Sequence, residues 1–198
     1  MQSKAEFRDR LNKKRRELTP QAYREESDQI VATARQLPEV SQARVVHTYW
    51  PRVDDHEPDI RPLIYDFLER NVKVILPIVE VFSRATTRPR LSHVEYTRDT
   101  KMTRNRWGIM EPENRGAAAV DNIDLILVPA LACDVKGLRI GHGFGYYDEF
   151  LATTPGVRLC LCMDPFLVDA LPADPHDQRM DIIVTGSQII RPQRSNMP

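Results

Sequence analysis

Residues 124–131 read DLILVPAL, apolar almost from end to end. A strand with one face in water alternates apolar and polar residues, so an unbroken run predicts a strand buried on both faces. Such strands belong to parallel sheets covered by helices on both sides, and the rest of the chain fits that frame. Residues 43–50 (ARVVHTYW), 72–79 (VKVILPIV), 157–163 and 181–185 read as further strands. Residues 4–18 read as a helix, with Phe7, Leu11 and Leu18 along one side and Lys4, Arg8, Lys14 and Arg15 around the rest. Thr19-Pro20 reads as an N-cap followed by proline at the first helical position, opening a second helix that ends near Leu37. Residues 59–70 and 145–152 are the remaining helices, and residues 80–115 read as a β-excursion with loops. The expectation is a single α/β domain over residues 1–198, with a mostly parallel, three-layer, Rossmann-like sheet.

The other constraint is glycine. The chain has eight, and Gly137, Gly141, Gly143 and Gly145 fall just after DLILVPAL and before the helix-like YYDEFLA. Glycine allows positive φ and close approach of backbone N–H groups to a ligand. A run of such amides, backed by a helix N-terminus, makes a phosphate cradle. Arg139 adds a cation with a bidentate fork, and Asp148 lies where a carboxylate could hold Mg²⁺. The pattern is neither a Walker A loop nor a dinucleotide-binding fingerprint, and a glycine-rich turn without a ligand is the plain alternative.

Composition narrows the classes. Lys+Arg and Asp+Glu both number 28, which argues against a protein built to grip nucleic acid. No apolar run is long enough for a membrane helix, and the N-terminus lacks a signal-peptide core, so a cytoplasmic protein is expected. Cys133, Cys160 and Cys162 read as buried reduced thiols, the last two on one face of a strand, because further zinc ligands at finger-like spacing are missing. His47, His93 and His176 show nothing beyond structural roles.

The segment VPALACDVKGLRIGHGFGYYDEFL resembles the signature of the 5-formyltetrahydrofolate cyclo-ligases, V-P-G-L-A-F-D-x-x-G-x-R-L-G-x-G-x-G-Y-Y-D. It departs at Ala130 and Cys133, where the family usually has glycine and phenylalanine. The loop positions of His142 and Phe144 vary in the family, and some members carry Arg or Lys there. Other features follow in family order: Lys4 and Arg8 as K-x-x-x-R, an acidic loop ending in Glu57, W-G-I-x-E-P at residues 107–112, and Asp181 after Met180.

The resemblance implies Mg²⁺- and ATP-dependent closure of a ring on a reduced folate, on a sheet of the sugar-isomerase/CoA-transferase type. It implies that Lys4, Ala5, Glu6, Phe7 and Arg8 meet ATP together with Arg139, Ile140, Gly141, His142, Gly143, Phe144, Gly145, Tyr146 and Tyr147. It places folate against Trp50, Glu57, Trp107 and the His142–Tyr146 stretch, gives catalysis to Arg139 and Tyr146, and gives the metal to Asp148 and Asp181. Small molecules are then the partners, without nucleic acid or membrane, and the protein is expected to be a monomer. Two rivals stand beside this reading: a phosphosugar isomerase or CoA-transferase relative, which needs no metal at Asp148, and a nucleic-acid binder using the basic first helix.

Overall fold

The computed structural model describes residues 3–80 and 88–193. Helix α1 (Lys4–Arg16) opens with a reciprocal cap: Ser3 accepts from the Glu6 N–H, and the Glu6 side chain accepts from the Ser3 N–H. Its last turn carries Lys13, Lys14, Arg15 and Arg16, where the helix dipole favours cations. Thr19 caps α2 (Pro20–Arg35), as its sequence announces. The second helix does not continue to Leu37. Pro38 starts a separate turn, α3 (Pro38–Ser41), because proline cannot donate to the preceding carbonyls.

The next elements are β1 (Val45–His47), α4 (Arg61–Glu69), β2 (Lys73–Val79), β3 (Leu91–Tyr96), β4 (Met102–Arg104), β5 (Met110–Pro112) and β6 (Leu125–Val128). After them come β7 (Ala132–Asp134), β8 (Arg139–Ile140), α5 (Tyr146–Thr153), β9 (Val157–Leu161), β10 (Leu167–Val168), β11 (Ile182–Val184) and β12 (Ile189–Ile190). The expected β-excursion is present as β3, β4 and β5, except that its residues 81–87 lie outside the described residues.

The main sheet has seven strands in the order β12-β11-β9-β6-β1-β2-β3. Its interior strands run parallel, and β3 and β12 close the edges antiparallel. All four β6 residues are buried, as their apolar run requires. Burying such Leu, Ile and Val side chains contributes roughly 1.5–3 kcal/mol each before entropy is counted. The parallel strands are shorter than their apolar runs. Pro129 cannot donate to a ladder, so β6 stops at Val128, and β9 stops at Leu161, leaving Cys162 just past the strand rather than in it. All three cysteines are buried and free, with Cys133 Sγ 2.9 Å from Cys160 Sγ.

Helix α2 packs on α4 and β11. On the opposite face α5 lies over β1, with the His47 ring 4.5 Å from that of Phe150. The strand order reverses between β1 and β6. Helix α4 carries the chain from β1 outward to β2, and α5 carries it from β6 the other way to β9. In an open α/β sheet the carboxyl ends of such a pair leave a crevice between the diverging loops, and ligands bind there.

Candidate active site

The loop leaving β1 holds Thr48, Tyr49 and Trp50, makes a short 3₁₀ turn at Val53–Asp55, and ends at Glu57. Glu57 is a buried carboxylate, 4% exposed. It accepts the Arg52 N–H at 2.9 Å and the His142 Nε2–H at 3.1 Å. Burial works to raise its pKa. The His142 and Arg52 hydrogen bonds and the charges of Arg15 and His142 outweigh it, and the carboxyl sits below its usual range. An ionised acceptor is therefore held inside the crevice. Tyr23 O–H donates to the Glu57 carbonyl at 2.8 Å and ties α2 to the same loop.

The glycine loop reaches Glu57 from the other side, through His142. It leaves the small sheet of β10, β7 and β8, and α5 follows it. Gly145 adopts φ +75° as the N-cap of α5, and no side chain caps that helix, so its first-turn amides face the loop. Gly143 has φ +98°, and a Cβ there would lie 2.9 Å from Arg8 Cζ. Only glycine combines that conformation with such close packing. Arg8 Nε donates to the Gly141 carbonyl at 2.9 Å, so α1 grips the loop across its outer side.

Arg139 and Asp148 are joined: Nη2 donates to Oδ1 at 3.0 Å, with the guanidinium almost fully buried. The Gln178 N–H donates to the same oxygen at 3.2 Å. Arg139 Nε is buried without a partner among the described residues. Lys4 lies on the same helix side as Arg8, but its ammonium is taken up by Asp177 at 2.5 Å and Asp174 at 2.8 Å. Ala5 is exposed, Glu6 serves the cap, and Phe7 lies half-buried under Arg10. Ile140 is buried in its pairing with Ala132. Phe144 is 59% exposed, the most open large apolar side chain among the described residues.

Trp50 packs against Tyr96, with ring centroids 5.5 Å apart, at the crevice end of β1. Trp107 lies under Arg106 at 4.2 Å, in the turn before β5. Tyr146 O–H donates to the Glu80 carbonyl at 2.9 Å. The Tyr147 hydroxyl is buried without a partner among the described residues, and burial pushes its pKa far up, opposed by the Arg139 charge and aided by that of Glu57. Asp181 lies elsewhere in the register. It precedes β11, and its Oδ2 accepts the Arg158 N–H at 2.9 Å at the amino ends of β9 and β11.

The sequence reading of the site missed Arg15. It is 3% exposed, donates to the Ala130 carbonyl at 2.6 Å, and keeps Nε and Nη1 unpartnered among the described residues. A signal was available. Phe7, Leu11, Arg15 and Leu18 follow the spacing of one apolar stripe, and a cation in such a stripe is an anomaly.

The profile of the 5-formyltetrahydrofolate cyclo-ligase family matches residues 1–186. The chain belongs to this family. Among cyclo-ligases, that of Mycolicibacterium smegmatis is 32% identical over 187 residues, covering 92% of this chain and 93% of the relative. That of Escherichia coli K12 is 28% identical over 184 residues, covering 90% and 98%. The solved 5,10-methenyltetrahydrofolate synthetase of Aquifex aeolicus superposes with a TM-score of 0.80 at 27% identity, covering 98% of this chain and 95% of that one. The synthetase of Mycoplasma pneumoniae shares the fold, with a TM-score of 0.66 at 19% identity. The glycine loop, Arg8 and Glu57 thus sit on a cyclo-ligase fold with its mostly parallel sheet. Among the described residues no helix is long and apolar enough to cross a membrane.

Proposed function

We propose that this cyclo-ligase converts 5-formyltetrahydrofolate and ATP into 5,10-methenyltetrahydrofolate, ADP and phosphate, with ATP on the glycine loop and the pterin at Glu57. The observation that carries the reading is the meeting of two unlike surfaces at the switch point: a glycine loop gripped by Arg8, and a buried, ionised Glu57 that the loop touches through His142.

The formyl group on N5 is amide-like, and its oxygen is a poor leaving group. Attack of that oxygen on the γ-phosphorus releases ADP and converts the oxygen into a phosphate ester on an iminium carbon. N10 then attacks the carbon and gives up its proton, the ring closes, and phosphate departs with the oxygen. The protein's part is positioning and neutralisation of charge. The loop amides and the α5 N-terminus cradle phosphate oxygens, while Arg8 and Arg139 offset their charge. Glu57 accepts from the pterin's 2-amino and N3–H groups. Trp50, earlier on the same loop and packed on Tyr96, offers an aromatic edge.

Asp148 fits a magnesium ion bound mainly by phosphates. It is a partly exposed carboxylate whose Oδ1 is fixed by Arg139 and Gln178, with Oδ2 directed to no partner among the described residues. Mg²⁺ usually takes one or two carboxylates besides phosphate oxygens and waters. When bound it would supply charge neutralisation at the transferring phosphoryl group. Asp181 Oδ2 accepts the Arg158 N–H at the amino ends of β9 and β11, not at the carboxyl ends where the crevice opens, so the reading rests on Asp148 and not on Asp181.

The test is turnover. Pure protein with 5-formyltetrahydrofolate, Mg²⁺ and ATP should develop the near-ultraviolet absorbance of the methenyl product. Folded protein that gives no product above the enzyme-free control overturns the reading.

A further inference from the structure

Among the described residues Arg15 is a buried cation with no carboxylate in contact, and two of its three nitrogens have no partner. Its position is fixed from several sides. Nη2 donates to the Ala130 carbonyl just after β6, at 2.6 Å. Its own carbonyl accepts the His56 Nδ1–H at 2.7 Å, one residue before Glu57. The guanidinium carbon lies 5.5 Å from the centre of the Phe166 ring. Arg15 is therefore wedged between the loops that leave β1 and β6, on the floor of the crevice. Its charge helps keep Glu57 ionised, and it also acts on the buried Tyr49 hydroxyl.

Burying a guanidinium is costly, and leaving its donors unpaired costs more. A hydrophobic residue at this point of the α1 stripe would pack without either penalty. A cation retained there, with Nε and Nη1 unpartnered, marks a place where an acceptor arrives from outside.

We propose that Arg15 is a further substrate-binding residue that donates to the 4-oxo oxygen of the pterin, so that Arg15 and Glu57 together read its mixed edge. The inference rests on the placement of the pterin at Glu57. The edge of a 2-amino-4-oxopterin presents two donors, the 2-amino group and N3–H, followed by one acceptor, O4. A buried acceptor beside a buried donor is its complement. His142 now occupies Glu57 Oε1, and the pterin takes its place there. A site of this kind rejects an analogue that brings a donor where an acceptor is required, because both facing groups are left unpaired.

The experiment compares two reduced folate analogues that differ only at position 4, oxo against amino, as competitors of 5-formyltetrahydrofolate. Wild type should prefer the 4-oxo compound. Arg15→Met, which keeps the bulk of the stem, should lose at least ~10-fold of that preference and leave the KM for ATP nearly unchanged. Arg15→Lys should retain part of the preference, since it keeps the charge. Equal binding of the two analogues by wild type overturns the inference without any variant. So does a folded Arg15→Met protein, checked by circular dichroism, that keeps the full preference. Glu57→Gln separates the two layers. If it leaves the folate KM unchanged, the pterin is not at Glu57 and both readings fall. If it raises that KM while the Arg15 variants keep their preference, the assignment of Arg15 falls alone.

Discussion

Arg139 Nη2 donates to Asp148 Oδ1 across 3.0 Å, so the cation of the glycine loop and the carboxylate of the following helix hold each other in place. The pair fixes the guanidinium's orientation, and it leaves Asp148 partly exposed at the start of α5.

Asp148→Asn should raise the Mg²⁺ concentration for half-maximal turnover at least ~10-fold, in line with changes to groups that hold or orient a metal. The melting temperature should move by only a few degrees, because an amide can still accept from Arg139 and Gln178. A Mg²⁺ titration unchanged from wild type, with only the KM for ATP raised, would show that the carboxylate serves Arg139 and not the metal.

Arg8→Ala should raise the KM for ATP by roughly 10–100-fold, the equivalent of one charge-assisted hydrogen bond of ~1.5–3 kcal/mol, and leave the KM for folate within a factor of about two. Lys4→Ala should do less, since Asp174 and Asp177 already occupy its ammonium. Steady-state kinetics with each substrate varied in turn checks both. A larger effect from Lys4 than from Arg8 would mean that Lys4 leaves its acidic partners when ATP binds.

Gly143→Ala combines an unfavourable φ of +98° with a Cβ 2.9 Å from Arg8 Cζ. The expected outcome is a loss of ~1–3 kcal/mol in loop stability and a sharp rise in the KM for ATP. Adding Arg8→Ala removes the clash but not the strain, so the double variant should recover only part of the lost melting temperature. Full recovery of the melting temperature would show that the backbone conformation is not required.

Stability should fall as the solution is acidified from about pH 6.5 towards pH 4. The His47 and His93 rings meet at 3.2 Å between β1 and β3. Burial lowers the His93 pKa to about 4, and burial together with the neighbouring His93 lowers that of His47 well below its usual value. The unfolded chain therefore binds protons that the folded one refuses. The contribution is complete above pH 6.5 and is lost as pH drops through that window. His93 accounts for about 1–3 kcal/mol, allowing for screening of its partly exposed ring. Denaturant titrations across the window should show a shallower slope for His93→Gln, and an unchanged slope would exonerate the pair.

The interior of the fold was legible because buried parallel strands write themselves as apolar runs, and β1, β2, β6, β9 and β11 all lie inside the segments expected. The strands that escaped notice are short: β12 and β10 pair only two residues each at sheet edges, and β7 and β8 pair two with each other. Strands so brief have no room for a periodicity. At the site, glycine spacing revealed the loop because backbone conformation restricts residue type. The Arg139–Asp148 pair, the capture of Lys4 by Asp177 and the burial of Arg15 did not show, because charge partners are chosen by the fold and not by spacing along the chain. Asp181 carried a family motif, yet its carboxylate is engaged with the backbone of β9.

Helix α1 reaches its partners across long stretches of chain: Arg15 to Ala130, Arg8 to Gly141 and Lys4 to Asp177. Contacts of such separation form late in folding, after the loop entropy between them has been overcome. On a ribosome helix α1 must wait for every segment up to Asp177 before it can dock fully. Catalytic competence therefore arrives only after Asp177 has emerged, because a chain that stops short of it lacks a residue that anchors the helix over its own loop.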